Sequence, residues 1–125
     1  MSVARSRPMS SLYASLAAVL AAAPAVAADA SRGELLFQTC SACHPVTGDG
    51  QGPDLHGVFG RKAAQMADFA YSEALRRADL VWDAKTLSEF IAKPQQKVPG
   101  TKMTFPGYDK PEDVAAVVAY LRKLR

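Results

Sequence analysis

The sequence predicts an all-α domain, with about four to five helices joined by long loops. Apolar residues recur at helical spacing in two stretches, of which the clearer runs from Val114 to Leu121 near the end of the chain. Glycines and prolines are concentrated in two other segments, 45–71 and 93–108, where few apolar residues repeat. Loops this long in a small domain need a reason, and wrapping around a bound group would supply one.

Residues 1–27 have the pattern of a cleavable secretory signal peptide. A basic start is followed by an apolar run, and Ala25-Val26-Ala27 supplies the small residues that a signal peptidase accepts. A membrane anchor is the alternative, but the fully apolar part, 16–23, is far shorter than the roughly 20 residues of a bilayer span. We therefore expect export to the periplasm, cleavage after Ala27 with Ala28 and Ala30 as alternatives, and one domain over residues 28–125.

The charge balance argues against a nucleic-acid-binding protein. The whole chain has a formal net charge of +3, but Arg5 and Arg7 belong to the predicted signal peptide. The remaining domain is nearly neutral, which is too weakly basic for a protein that neutralises many phosphates.

The segment Cys40-Ser41-Ala42-Cys43-His44 predicts the covalent attachment of a haem group. Residues three apart share a helix face, so both thiols can bond to the vinyl groups of one porphyrin, and the imidazole that follows can reach the iron. A disulfide, a zinc site and a thioredoxin-like redox pair are the alternatives. The adjacent histidine, the small number of other Cys and His residues, and the absence of a βαβ pattern argue against them in turn.

The first two helices are predicted from their caps. One is expected over 32–43, where Ser31 and Glu34 have the spacing of a capping box at its start. A short second helix is expected over 73–78, with Ser72 as its N-cap.

The later helices are predicted from caps and apolar stripes. Asp83 is expected to cap a third helix, which Pro94 stops. Residues 93–108 are expected to form a loop. Asp109, followed by Pro111, is expected to open the last helix.

The sixth ligand of the iron would decide between an electron carrier and a ligand-binding haem. Two methionines lie outside the predicted signal peptide, Met66 and Met103. The stiff Pro-Gly turn at 99–100 could hold the Met103 thioether in place, although gap-filling in the core is the alternative role. His56 is interpreted as a loop residue with a structural hydrogen bond. The Nδ1–H of His44 needs an acceptor, and a backbone carbonyl of the following loop is expected.

Four stretches together make the chain resemble a class I c-type cytochrome, and within that class a mitochondrial-type soluble monohaem cytochrome c of the bacterial periplasm. They are CSACH at 40–44, GPDLHGVFGRK at 52–62, the span from Trp82 to PGTKM at 99–103, and DVAAVVAYL at 113–121. The resemblance covers essentially the whole chain after the predicted signal peptide. It implies the cytochrome c fold, with long loops wrapped around one haem c attached through Cys40 and Cys43.

The resemblance also implies roles for single residues. Met103 would be the second axial ligand of the iron, opposite His44, and Pro53 would offer its carbonyl to His44 Nδ1. Further residues would hydrogen-bond the haem propionates or offset their charge. These are Tyr71, Trp82 and Thr101 for the hydrogen bonds, and Arg61 for the charge.

The chain departs from the family pattern on the Met103 side. Phe90 stands where a tyrosine is common, and Leu75 stands where an asparagine is common. Fewer polar groups predict a drier pocket and a raised reduction potential. The first helix is also one residue shorter than usual, which makes Leu36 and Phe37 both candidates to pack on Tyr120.

The expected docking face is less basic than is usual in the family. Thr39, Gln95, Gln96 and Asp109 stand where lysines are frequent, while Lys62, Lys97, Lys102 and Lys110 remain. We expect weak electrostatic steering of partners and a shallow salt dependence.

The sequence as a whole predicts an electron-transfer protein that is not an enzyme. A cytochrome bc-type complex or a periplasmic dehydrogenase is the expected donor, and a terminal oxidase or a photosynthetic reaction centre is the expected acceptor. The protein is expected to be a monomer without a permanent membrane anchor. Two alternatives are a dedicated cytochrome c subunit of a periplasmic dehydrogenase, and a haem peroxidase or gas-binding protein if Met103 is not a ligand.

Overall fold

The computed structural model describes residues 18, 21 and 25–125. Five helices follow in order: α1 Ala25–Ser41, α2 Glu73–Arg77, α3 Ala84–Ala92, α4 Pro94–Lys97 and α5 Pro111–Lys123. Across these described residues there is no sheet, and extended backbone pairs only in an isolated antiparallel bridge between Lys62 and Val81. The predicted all-α class with long loops is therefore confirmed.

The predicted signal peptide lies largely outside the described residues, and its cleavage stays a prediction. Within the described part of the chain, no helix has both the length and the hydropathy to cross a bilayer.

Helix α1 begins earlier than predicted. It starts at Ala25, so Ser31 lies inside the helix, and the predicted capping box of Ser31 with Glu34 is wrong. The preceding residues are rich in alanine, the strongest helix former, which lets the helix run continuously through position 31.

The predicted caps of the two middle helices are confirmed. Ser72 Oγ accepts a hydrogen bond from the Leu75 N–H at 3.1 Å at the start of α2. Asp83 Oδ1 accepts one from the Thr86 N–H at 2.8 Å, and Thr86 Oγ1 accepts one from the Asp83 N–H at 3.0 Å. Helix α3 therefore begins with a complete capping box.

Two predictions about the C-terminal half are wrong. Residues 94–97 form the short helix α4 instead of a loop, because Pro94 occupies the first turn, where a missing N–H and a fixed φ are tolerated. Helix α5 begins at Pro111, with Lys110 at the N-cap instead of Asp109, and that cap has no side-chain hydrogen bond.

Helices α1 and α5 pack closely and bring the two ends of the domain together. Gly33 lies so near the Ala116 carbonyl that a Cβ at this position would overlap it. The Phe37 ring contacts the Tyr120 ring, with centroids 5.0 Å apart. Of the two candidates, Leu36 and Phe37, it is therefore Phe37 that packs on the Tyr120 ring.

The apolar core lies between the helices and the long loops. Its buried members are Val58, Ala63, Trp82, Leu87, Phe90, Ile91, Val98, Val114, Val117, Val118 and Leu121. Several of these residues also form the wall of a cavity, so the core and the functional site share side chains.

Candidate haem-binding site

A cavity of about 400 Å³ opens between the end of α1, the long loops, and helices α3 and α5. All nine residues predicted for the site line it: Cys40, Cys43, His44, Pro53, Arg61, Tyr71, Trp82, Thr101 and Met103. Much of the remaining wall is apolar and includes Leu87, Phe90 and Leu121. The fold thus gathers residues from several separate stretches of the chain around one space.

The end of α1 brings two thiols and an imidazole to the cavity wall. The backbone N–H groups of Cys43 and His44 both donate to the Cys40 carbonyl, at 3.1 and 2.9 Å, in a tight turn. Both cysteines are half-buried and neither is in a disulfide. Burial raises the pKa of the Cys40 thiol. The two sulfurs are therefore both free to form covalent bonds with a group in the cavity.

The His44 ring is held by the loop that follows it. Its Nδ1 lies 2.7 Å from the Pro53 carbonyl oxygen, and that carbonyl accepts the Nδ1–H. Burial lowers the pKa of the imidazole. The neutral ring then has its lone pair on Nε2, which is the atom that a metal needs.

Gly52 makes this arrangement of the ring possible. Its backbone N–H donates to the Cys43 carbonyl at 2.8 Å, which brings the loop back over the turn. A Cβ at Gly52 would overlap the His44 ring. Only a glycine therefore fits between this loop and the imidazole.

Met103 lines the cavity from the loop between α4 and α5. Its backbone N–H donates to Thr101 Oγ1 at 3.4 Å, and Thr101 is only 7% exposed. The Thr101 N–H donates in turn to the Val98 carbonyl at 3.0 Å. Met66 does not line the cavity, so of the two candidate methionines only Met103 is placed near the thiols.

Polar groups on the cavity wall suit a ligand that carries acidic groups. Tyr71 accepts a hydrogen bond from the Met66 N–H at 3.2 Å, which leaves its own hydroxyl proton to donate. Trp82 is 7% exposed, and a buried indole N–H needs an acceptor. Arg61 donates to the His56 and Asp54 carbonyls at 3.2 and 3.1 Å, which fixes its charge beside the cavity.

His56 is not part of the cavity wall. Its Nδ1 lies 2.6 Å from Asp54 Oδ1, and its backbone N–H donates to the same oxygen at 3.0 Å. The interpretation of His56 as a loop residue with a structural hydrogen bond is confirmed.

Two groups of contacts around Met103 were missed by the sequence analysis. Gln95 hydrogen-bonds the backbone of residues 100–103. Lys102 donates to the Ala70 carbonyl, and its ammonium lies 4.4 Å from the centroid of the Phe69 ring. The sequence places Gln95 and Lys102 on the expected docking face and gives no sign of these contacts. No sequence pattern marks either contact, because the first depends on the course of the loop after α4 and the second joins segments 32 residues apart.

The residues present fit a covalently attached haem. Two neighbouring thiols, a neutral imidazole and a thioether face one largely apolar space, and donors for acidic groups lie on its wall. This donor set matches an iron porphyrin with propionates better than it matches a bare metal ion, for which the thioether and the large apolar wall would serve no purpose.

Comparisons with known proteins agree with this site. The family model for Cytochrome c matches residues 30–125. Cytochrome c2 of Rhodoblastus acidophilus is 46% identical over 102 residues, which is 79% of this chain and 95% of that protein. Cytochrome c-554 of Methylosinus trichosporium is 43% identical over 121 residues, which is 94% of this chain and 92% of that protein.

A solved structure extends the likeness to the fold. Cytochrome cH from Methylobacterium extorquens matches with a TM-score of 0.72 at 47% identity, over 76% of this chain and 98% of that one. Together with the site geometry, these matches show that the chain belongs to the cytochrome c family and carries haem c on thioether bonds to Cys40 and Cys43.

Proposed function

We propose that this protein carries single electrons in the periplasm, with its haem iron bound by His44 and Met103. One observation carries the proposal: both side chains come from distant segments and line the same cavity as the two cysteine thiols. The bound haem supplies an iron centre that alternates between the ferrous and ferric states.

His44 and Met103 have different tasks in this proposal. The Pro53 carbonyl orients the imidazole and increases its basicity, so His44 is a strong and permanent ligand. The thioether of Met103 is a soft ligand that favours the ferrous state and fills the remaining position. With both positions filled, oxygen and peroxide are kept from the iron, as a carrier requires.

Four polar residues would hold the haem propionates. Tyr71, Trp82 and Thr101 supply hydrogen-bond donors from a buried wall. Arg61 supplies a positive charge that two backbone carbonyls already hold in place. Because these bonds hold the guanidinium in one position, little further entropy would be lost when it faces a propionate.

Electrons would enter and leave where the cavity meets the solvent. The exposed residues of the cavity wall include Thr39, Gln51, Thr104 and Pro106. We propose that respiratory or photosynthetic complexes dock briefly there, with a cytochrome bc-type complex or a periplasmic dehydrogenase as donor and a terminal oxidase or reaction centre as acceptor. The predicted signal peptide would bring the chain to the compartment where these partners are reached.

An absorption spectrum of the oxidised holoprotein tests the ligation. We expect a weak near-infrared sulfur-to-iron charge-transfer band, which Met103→Leu abolishes. Met66→Leu is the matched control, because it removes the other candidate thioether and should leave the band unchanged. A wild-type protein without this band at neutral pH would contradict the carrier proposal.

Adding carbon monoxide to the reduced protein tests the main alternative. We expect no immediate binding in the wild type and fast binding in Met103→Leu. Immediate binding by the wild type would instead favour a gas-binding or peroxidase role.

A further inference from the structure

Gln95 is bonded to the Met103 loop by both ends of its side-chain amide. Its Nε2 donates to the Thr101 carbonyl at 2.8 Å and to the Met103 carbonyl at 3.3 Å. Its Oε1 accepts from the Gly100 N–H at 3.3 Å. One side chain therefore satisfies three backbone groups within four consecutive residues of the loop.

The chemistry of this contact is specific to an amide. The loop presents two carbonyl acceptors and one N–H donor to the same side chain. An ammonium can only donate and a carboxylate can only accept, whereas an amide does both from one planar group. A glutamine is thus matched to this loop in a way that lysine and glutamate are not.

Helix α4 gives Gln95 a firm base. Pro94, at the start of the helix, is buried, and the Lys97 ammonium forms an ion pair with Glu89 of α3. The loop itself is held less firmly, since the hydrogen bond from the Met103 N–H to Thr101 Oγ1 is long, at 3.4 Å. Gln95 therefore connects the less firmly held segment to the better held one.

We propose that Gln95 is a positioning residue that keeps the Met103 loop closed over the haem. By fixing the backbone on both sides of Lys102, it limits how often the thioether moves away from the iron. The inference rests on the proposed ligation by Met103. Gln95 lies on the expected docking face, and in this proposal it also limits the access of external ligands to the iron.

Imidazole binding to the ferric holoprotein tests this inference. Imidazole can reach the iron only when Met103 has left it, so its apparent affinity reports the fraction of open loop. Loss of these hydrogen bonds in Gln95→Leu should raise the apparent affinity about three- to tenfold. The matched control is Gln96→Leu, on the exposed neighbouring position of the same helix, which should leave the affinity unchanged.

A second variant tests the chemistry of the amide. Gln95→Glu keeps an acceptor for the Gly100 N–H but places a carboxylate against two carbonyls. Its apparent imidazole affinity should rise at least as much as in Gln95→Leu. A role for Gln95 in α4 alone would predict a smaller effect for glutamate, which is a good helix former.

The outcomes separate the two proposals. If the wild type shows the near-infrared band and Gln95→Leu binds imidazole with wild-type affinity, the inference about Gln95 is overturned and the proposed ligation stands. If the wild type lacks the band, the ligation is overturned and the inference falls with it. Thermal unfolding of each variant, expected within a few degrees of the wild type, shows that the fold is retained.

Discussion

The two sides of the haem cavity are held by contacts of different range. On the His44 side, the bonds join near neighbours in sequence: His44 to Pro53, and Gly52 to Cys43. On the Met103 side, Gln95 bonds to a loop that begins only five residues further along the chain, but Lys102 reaches the Ala70 carbonyl, 32 residues away. The first side is thus encoded within one short stretch, while the second also depends on a contact that only the assembled fold supplies. We expect the first to be rigid and the second to be where opening and tuning occur.

The largest effect should come from crowding the His44 side. Gly52→Ala places a methyl group against the imidazole, and the collision should cost up to about 3 kcal/mol or displace the ring. We expect a large loss of holoprotein yield and a disturbed haem spectrum. Absorbance of the purified protein relative to total protein measures this.

Gly57→Ala is the control for that variant. Gly57 has a positive φ of 70°, but a Cβ added there would meet no atom within 4 Å, so alanine is strained without touching a ligand. It should lower the melting temperature and leave the haem spectrum normal. Equal spectra for both variants would show that the His44 side is less rigid than we infer.

The next largest effect is expected on the Met103 side. Phe90 is 8% exposed, lines the cavity, and packs on Trp82 with ring centroids 5.0 Å apart. Phe90→Tyr adds a hydroxyl to this apolar wall, which should stabilise the ferric state and lower the midpoint potential by on the order of tens of millivolts. Spectroelectrochemical titration measures the shift.

The matched control places the same hydroxyl outside the cavity. Phe59 packs beside Arg122 and is not part of the cavity wall, so Phe59→Tyr should leave the potential unchanged. An unchanged or raised potential in Phe90→Tyr would contradict the dry-pocket explanation.

A smaller effect is expected on the rate of electron exchange when the salt concentration is raised. At the rim of the cavity, Lys62 pairs with Asp79 at 2.9 Å, and Lys102 is directed to Ala70 and Phe69. Because Asp79 offsets the charge of Lys62 and the docking face has few other lysines, electron exchange with an anionic partner should slow only about two- to threefold as salt rises from low to physiological levels. Stopped-flow rates measure the slope.

Gln96→Lys sharpens the salt prediction because it adds a charge to α4 without touching Gln95. It should steepen the salt dependence. A wild-type rate that already falls steeply with salt would show that the rim is more strongly charged than its contacts suggest.

The smallest effect concerns the helix behind the Met103 side. The Thr86 N–H at the start of α3 lowers the pKa of Asp83 below its ordinary value of 3.8. A lowered pKa means that the carboxylate contributes stability above the ordinary pKa and loses it as the pH falls through the folded-state pKa. The melting temperature of the wild type should exceed that of Asp83→Asn by about one to three degrees at neutral pH. A gap that stays constant or widens as the solution is made strongly acidic would contradict this.

Features encoded by neighbouring residues could be predicted from the sequence. The haem attachment segment, the caps at Ser72 and Asp83, and the all-α class all follow from spacing and short-range hydrogen bonds. Two of the errors lie next to prolines. Pro94 stops one helix and starts another, and the helix that Pro111 starts has its N-cap one position after the predicted Asp109.

Contacts that depend on the course of an irregular loop could not be predicted. A glutamine at position 95 could equally have faced solvent, and only the course of the 99–106 loop brings it to the Thr101 carbonyl. The same holds for Lys102 and Phe69, whose meeting depends on two loops that have no periodic pattern. The resemblance implies Met103 as the second ligand, and the structure shows the contacts that hold its loop.

The close contact of Gly33 with Ala116 also bears on when α1 can pack. Helix α1 is the first helix of the described chain and α5 is the last, so the contact cannot form until α5 is present. Without α5, Gly33 and Phe37 of α1 have no partner, and the Cys40–His44 turn is held only by its own loop. A chain that stops before Pro111 would contain both cysteines and both proposed iron ligands and still have no partner for the Gly33 face of α1.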